Sequence, residues 1–191
     1  MTITEQLKTW KSPFGEEWID RTTINRTDRF VAFHKMMGSL NVKTVLEVGC
    51  GSGDNLRVMP LFGNYKLVGL DALRYACLEA KQYGLEVVEG SALNLPFSDE
   101  SFDLVFTCGL LMHIAPEDMI QARDELWRVS KKYILVIEYY SKDEQSISWR
   151  GQERLLWKRD YTKLFPAELF DTGFLGKEDG FDDCTWYLFR K

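Results

Sequence analysis

The chain has 191 residues, 45% of them hydrophobic and 28% charged, which fits one globular domain with a full core and excludes a disordered or fibrous chain. Its net charge of −5 argues against a nucleic-acid partner held mainly by phosphate contacts. Cys50, Cys77, Cys108 and Cys184 have neither metal spacing nor the density of a disulfide framework, and no apolar run approaches a membrane span. Reduced cysteines in a soluble cytoplasmic protein are therefore the expectation.

Residues 1–41 read as largely helical, ahead of an α/β unit over 42–191. Thr27-Asp28 can start a helix whose Phe30, Phe33 and Met37 share a face before Gly38 ends it. Upstream, Trp18 and Arg21 stand within one turn of each other. That segment is either packing over a sheet edge or a lid whose Trp18 and Arg21 face a ligand. Thr44-Val45-Leu46-Glu47-Val48 then reads as a buried strand that runs into Gly49-Cys50-Gly51-Ser52-Gly53 and a short helix cut off near Pro60. The glycines let a ligand lie against the backbone, and the first N–H groups of the helix favour an anion.

Strands are expected at 66–71, 85–88, 102–107 and 133–137, with helices over 73–83 and from Pro116. The polar stretch from Glu138 to Tyr161 is either an acceptor-binding insert at the carboxyl end of the sheet or a surface helical hairpin. Residues 173–177 and 184–189 are joined by six residues, too few for a crossover helix, so they should pair antiparallel. The fold class expected is α/β, a doubly wound, mostly parallel sheet closed by a C-terminal antiparallel hairpin.

Asp71 ends the second strand 22 residues after Gly49. An acid there can accept both ribose hydroxyl protons, or it can cap a helix. The same spacing occurs in nicotinamide enzymes. A dinucleotide turn, however, reads G-x-G-x-x-G, and its third glycine would fall on Asp54. His113 is the one histidine near the end of the fourth strand, and serves either as a base toward a hydroxyl or amine or as a structural residue.

The stretch Glu47-Val48-Gly49-Cys50-Gly51-Ser52-Gly53 resembles motif I of the class I S-adenosylmethionine (SAM) methyltransferases. Gly90-Ser91-Ala92-Leu93-Asn94-Leu95-Pro96-Phe97 is similar to a further motif of that superfamily, with Ser91 where an acid usually meets the adenine amino group. The resemblance implies a Rossmann-like seven-stranded sheet in a single SAM-binding domain, and S-adenosylhomocysteine (SAH) as product. It also implies that Glu47, Gly49, Cys50, Gly51, Gly53, Asp71, Ala72, Ser91, Ala92, Cys108 and Gly109 border SAM, with Trp18 and Arg21 as lid contacts. Within the superfamily the chain resembles the methylases associated with pseudaminic acid biosynthesis. Phe14 to Arg21, Trp149-Arg150-Gly151-Gln152, Lys158-Arg159-Asp160 and Asp182 to Trp186 carry that likeness.

Thr22 and Gln152 depart from that family's asparagine and histidine. This resemblance implies a place in polysaccharide biosynthesis and a small acceptor such as an acidic nonulosonic sugar, methylated on O or N. Tyr139, Tyr140, Trp149, Arg150, Lys158 and Arg159 would hold it. No metal, nucleic acid or membrane is implied, and a monomer or homodimer is expected. A non-catalytic SAM- or SAH-binding partner protein is the alternative, motivated by Ser91, Thr22 and Gln152.

Overall fold

The computed structural model describes residues 3–22 and 26–191, without the side chain of Arg26. Residues 1–2 and 23–25 of the expected helical segment lie outside the described residues. Three helices lead the chain, α1 (Glu5–Trp10), α2 (Pro13–Arg21) and α3 (Arg26–Met37). Thr4 caps α1 by accepting from the Leu7 N–H, and Ser12 caps α2 by accepting from the Phe14 N–H. The Ser12-Pro13 pair thus ends one helix and starts the next.

The strands and remaining helices follow as β1 (Thr44–Val48), β2 (Lys66–Asp71), α4 (Arg74–Gln82), β3 (Glu86–Glu89), β4 (Phe102–Cys108), α5 (Met119–Val129) and β5 (Ser130–Glu138). A hairpin, β6 (Gln145–Trp149) and β7 (Gln152–Lys158), and a second one, β8 (Glu168–Leu175) and β9 (Cys184–Arg190), complete the chain. Seven strands form one sheet in the order β3-β2-β1-β4-β5-β9-β8, and β6-β7 stand apart. The pairs among β1 to β5 are parallel, whereas β9 runs antiparallel to both β5 and β8. The expected closing hairpin is present, with its first strand beginning earlier, at Glu168.

Alternation along the central strands fills both faces of the sheet. Val45, Leu104, Phe106, Leu135 and Ile137 pack under Phe33 and Met37 of α3 and under Ala80 of α4. Leu46, Val48, Val105, Ile134 and Val136 pack under Ala122, Leu126 and Val129 of α5. A parallel sheet must be covered in this way, which is why its strands read as continuous apolar runs. Among the described residues no helix is long and apolar enough to cross a membrane.

Two local expectations need correction. No regular helix follows the glycine turn: residues 51–58 form successive turns that lead into a 3-10 turn at Met59–Leu61. The Arg57 N–H reaches the carbonyl four residues back, but Val58, Leu61 and Phe62 bond three back, and Pro60 has no N–H to give. The stretch after β5 is not a helical hairpin either. Arg150 and Gly151, both at positive φ, make a two-residue β-turn between β6 and β7.

Candidate functional site

The chain turns back between β1 and β4, its neighbour on the other side, so a crevice opens at their carboxyl ends. A cavity of about 300 Å³ lies there, in the range of small-molecule sites. Its floor is the glycine turn. Gly49 and Gly51 have φ of 79° and 53°, and a Cβ on Gly49 would come within 2.9 Å of the Leu110 side chain. Only glycine meets both demands without strain. The turn is tied to β2: the Gly49 and Cys50 N–H groups donate to the Leu70 carbonyl, and the Gly51 N–H donates to Asp71 Oδ2 at 2.8 Å.

Asp71 does not cap α4, whose N-cap is Leu73; its Oδ1 accepts from the Leu73 N–H at 2.8 Å. Burial pushes this carboxyl up, and the N–H groups of Leu73, Gly51 and Ala72 hold it down against that push. Two oxygens fixed by backbone donors on a cavity wall suit a pair of hydroxyl donors. Ala72, Ser91 and Ala92 line the same end. The Ser91 hydroxyl accepts from the Leu93 N–H, which shapes that loop.

At the other end, Cys108 and Gly109 line the cavity after β4. Burial raises the Cys108 thiol, so it stays protonated, a packing group and not a nucleophile. Arg29 of α3 reaches it: Nη1 donates to Cys108 Sγ at 3.3 Å and to Asn55 Oδ1 at 3.2 Å. The guanidinium lies 3.5 Å over the Phe181 ring, and its buried Nε has no partner among the described residues. Arg29 lines the cavity half-buried, and a guanidinium charge so placed suits an anion. Sequence reading missed Arg29, although a cation four residues before Phe33 on a buried helix face is a visible signal.

Glu47 lies behind this wall, fully buried, with Oε1 accepting from Asn55 Nδ2 at 2.7 Å. Burial carries its carboxyl up to about 8, opposed by the Asn55 hydrogen bond. Glu47 therefore positions Asn55 and does not itself line the cavity. Gly53 does not line it either; it is buried where a Cβ would strike Leu85. Arg21, expected at the ligand, is exposed, and Trp18, Ile19 and Thr22 of the same segment line the cavity in its place.

The residues assigned to the acceptor part company. Tyr139 and Trp149 line the cavity, but Tyr140 is exposed and Lys158 lies over the outer Tyr139 ring. Arg150 is exposed and rests against the rings of Trp18 and Trp149. Arg159 is buried below the site, donating to the carbonyls of Leu111 at 2.9 Å and Ile114 at 2.8 Å. Glu138 holds the same loop from the other side. Its carboxylate accepts from the N–H groups of Leu110, Leu111 and Met112 and from the Thr107 hydroxyl.

That clamped loop presents His113. Its Nδ1 lies 2.6 Å from the Leu155 carbonyl, which can only accept, so Nδ1 carries the proton and Nε2 keeps the lone pair. Burial lowers the ring to about 4, leaving it neutral at pH 7. Trp10 and Trp149 pack against it with centroids at 4.8 and 5.2 Å. Trp10 was also missed by sequence reading, because the Ser12-Pro13 break hides its alignment with Phe14 and Trp18. Among the described residues no group of His, Cys, Asp and Glu is arranged to hold a metal.

Residues 45–133 match the methyltransferase domain family. The sterol 24-C-methyltransferase of Pneumocystis carinii is 28% identical over 124 residues, 61% of this chain and 32% of that protein. The tRNA U34 carboxymethyltransferase of Shewanella denitrificans is 31% identical over 148 residues, 72% of this chain and 44% of that protein. The chain thus spans less than half the length of these curated relatives. Among solved structures, the Burkholderia thailandensis 1,6-didemethyltoxoflavin N1-methyltransferase, with its acceptor and SAH bound, is similar at a TM-score of 0.72 and 14% identity. That likeness covers 96% of this chain and 84% of the other. The sheet order and this structural likeness give the chain a Rossmann-like methyltransferase fold, within which residues 45–133 are similar to the methyltransferase domain family.

Proposed function

We propose that the chain is a SAM-dependent methyltransferase that acts on an O or N atom of a small molecule. The observation that carries this reading is the half-buried Arg29 guanidinium on the wall of a cavity that has the backbone-fixed Asp71 carboxylate at its other end. SAM has a carboxylate at one end and a ribose diol nearer the other, so the donor set fits it. Asp71 would take the ribose hydroxyls, Gly49 to Gly51 would lie along the ligand, and Arg29 would pair with its carboxylate. When bound, SAM supplies an electrophilic methyl, which passes to an acceptor lone pair while sulfur keeps the C–S electrons as the thioether.

The protein's part is to hold donor and acceptor in line and to exclude water, for which Trp10, Trp18 and Trp149 form the roof. Helices α1 and α2 act as a lid in this reading. His113, neutral and hydrogen-bonded through Nδ1, offers Nε2 to an acceptor N–H or O–H. Action in the cytoplasm on a small molecule, as a monomer or homodimer, belongs to the same proposal. A nonulosonic sugar as acceptor rests on the family resemblance, and of the six residues assigned to it only Tyr139 and Trp149 support it by lining the cavity.

Calorimetric titration with SAM, SAH and NAD in parallel tests the proposal. Both adenosyl ligands should bind and NAD should not. Asp71→Ala should weaken SAM by about 1–3 kcal/mol from lost hydrogen bonds. Binding of NAD alone, or of neither adenosyl ligand, would overturn it. Binding of SAM with no turnover across a broad acceptor panel would favour the non-catalytic alternative.

A further inference from the structure

We propose that the acceptor side of this cavity takes a flat aromatic or heteroaromatic molecule that carries no negative charge; this deepens the methyltransferase reading and rests on it. Away from the glycine turn, the wall is built from Leu7, Trp10, Met112, His113, Trp149 and Leu156. These come from α1, the loop after β4 and the β6–β7 hairpin, so the chain brings distant apolar groups to one place. Trp10 and Trp149 have centroids 6.1 Å apart, and Trp18 adds a third indole 5.1 Å from Trp149. Rings of this kind favour the face or edge of another ring.

The charges agree. Among the described residues Arg29 is the one Lys or Arg side chain on the cavity wall, and it stands at the cofactor end beside Cys108. An anionic acceptor would therefore meet no cation inside. Of the four wall carboxylates, Asp54 is paired with Arg57 and Asp71 accepts from the N–H groups of Gly51 and Leu73, while Asp118 and Asp182 have no side-chain partner among the described residues and add to the repulsion of an anion. A polyhydroxylated sugar fares no better. The polar groups on the acceptor wall are few, and Thr4 Oγ1 already accepts from the Leu7 N–H while Gln6 Nε2 donates to the Arg154 carbonyl. Buried hydroxyls beyond those would go unsatisfied. His113 keeps its Nε2 lone pair for a single ring N–H or O–H.

Calorimetry on the full chain, with and without saturating SAH, tests this with four probes: 5-hydroxyindole, 7-hydroxyquinoline, N-acetylneuraminic acid and choline. At least one of the neutral bicyclic probes should bind. Trp149→Ala should weaken it tenfold or more, while SAH affinity changes less than twofold. If Trp149→Ala does not fold, Trp149→Leu, which keeps apolar volume without the ring, carries the same comparison. Binding of the sugar acid or of choline in preference to both bicyclic probes would overturn the proposal, as would an aromatic affinity indifferent to Trp149. Absence of SAH binding would overturn the cofactor reading instead, and the bicyclic probes titrated without SAH would still decide the acceptor class.

Discussion

Arg159 discriminates between what the sequence pattern implies and what the fold does with it. In the structure its guanidinium is buried and donates to the carbonyls of Leu111 and Ile114, while Nε faces Glu144. Arg159→Met keeps length and apolar volume but strips both carbonyls of their partner. Each hydrogen bond to a charged group contributes about 1.5–3 kcal/mol. The Glu144 side chain is 45% exposed, so its carboxylate returns to water at little cost. The loss should be about 3–5 kcal/mol, read as a urea midpoint lowered by roughly 2 M at an m-value of about 2 kcal/mol/M. Arg159→Lys should recover at most half, since one ammonium cannot reproduce a planar fork on two carbonyls. A midpoint within about 0.5 M of the parent at that m-value, with a raised KM for the acceptor, would refute the clamp and return Arg159 to the acceptor site.

Two pH effects follow from buried groups. Burial holds Glu47 at about 8, well above its unfolded value of 4.5, so the stability it contributes is complete below pH 4.5 and is lost as pH rises toward 8. Glu47→Gln, which keeps the oxygen that Asn55 donates to, should flatten this fall between pH 5 and 8.5 in denaturant titrations; an unchanged slope would count against a buried, protonated acid. His113 has the opposite sign: burial depresses it from 6.5 to about 4, so its contribution is full above pH 6.5 and lost as pH falls through 4. His113→Gln should remove that acid sensitivity, and the parent's pH–rate profile should show no break from this ring between pH 6 and 8. A break near 6.5 that disappears in the variant would show that the ring is not desolvated.

The glycine turn and the strand pattern were legible because each depends on neighbours in sequence. Alternating glycines after an apolar run need no tertiary context to demand positive φ, and an unbroken apolar strand such as 134–137 announces coverage on both faces. The acceptor residues were not legible. A run such as Trp149 to Arg159 shows aromatic and basic character but not which residue turns inward. Arg150, at the tip of a two-residue turn, must face out, and Arg159, ten residues after Trp149, drops beneath the loop it holds.

The sequence by itself determined the strand–turn–strand framework, the Gly49–Gly53 turn and the acid at Asp71, since local sterics and periodicity settle them. Tertiary structure alone decided that Arg29, not Arg21, reaches the cavity, that Glu47 hides behind it, and that Trp10 meets Trp149 over His113. Those outcomes depend on which helix face is buried and where a hairpin folds back. They are fixed by packing between separate segments, as where Trp10 meets Trp149, and no short sequence window contains it.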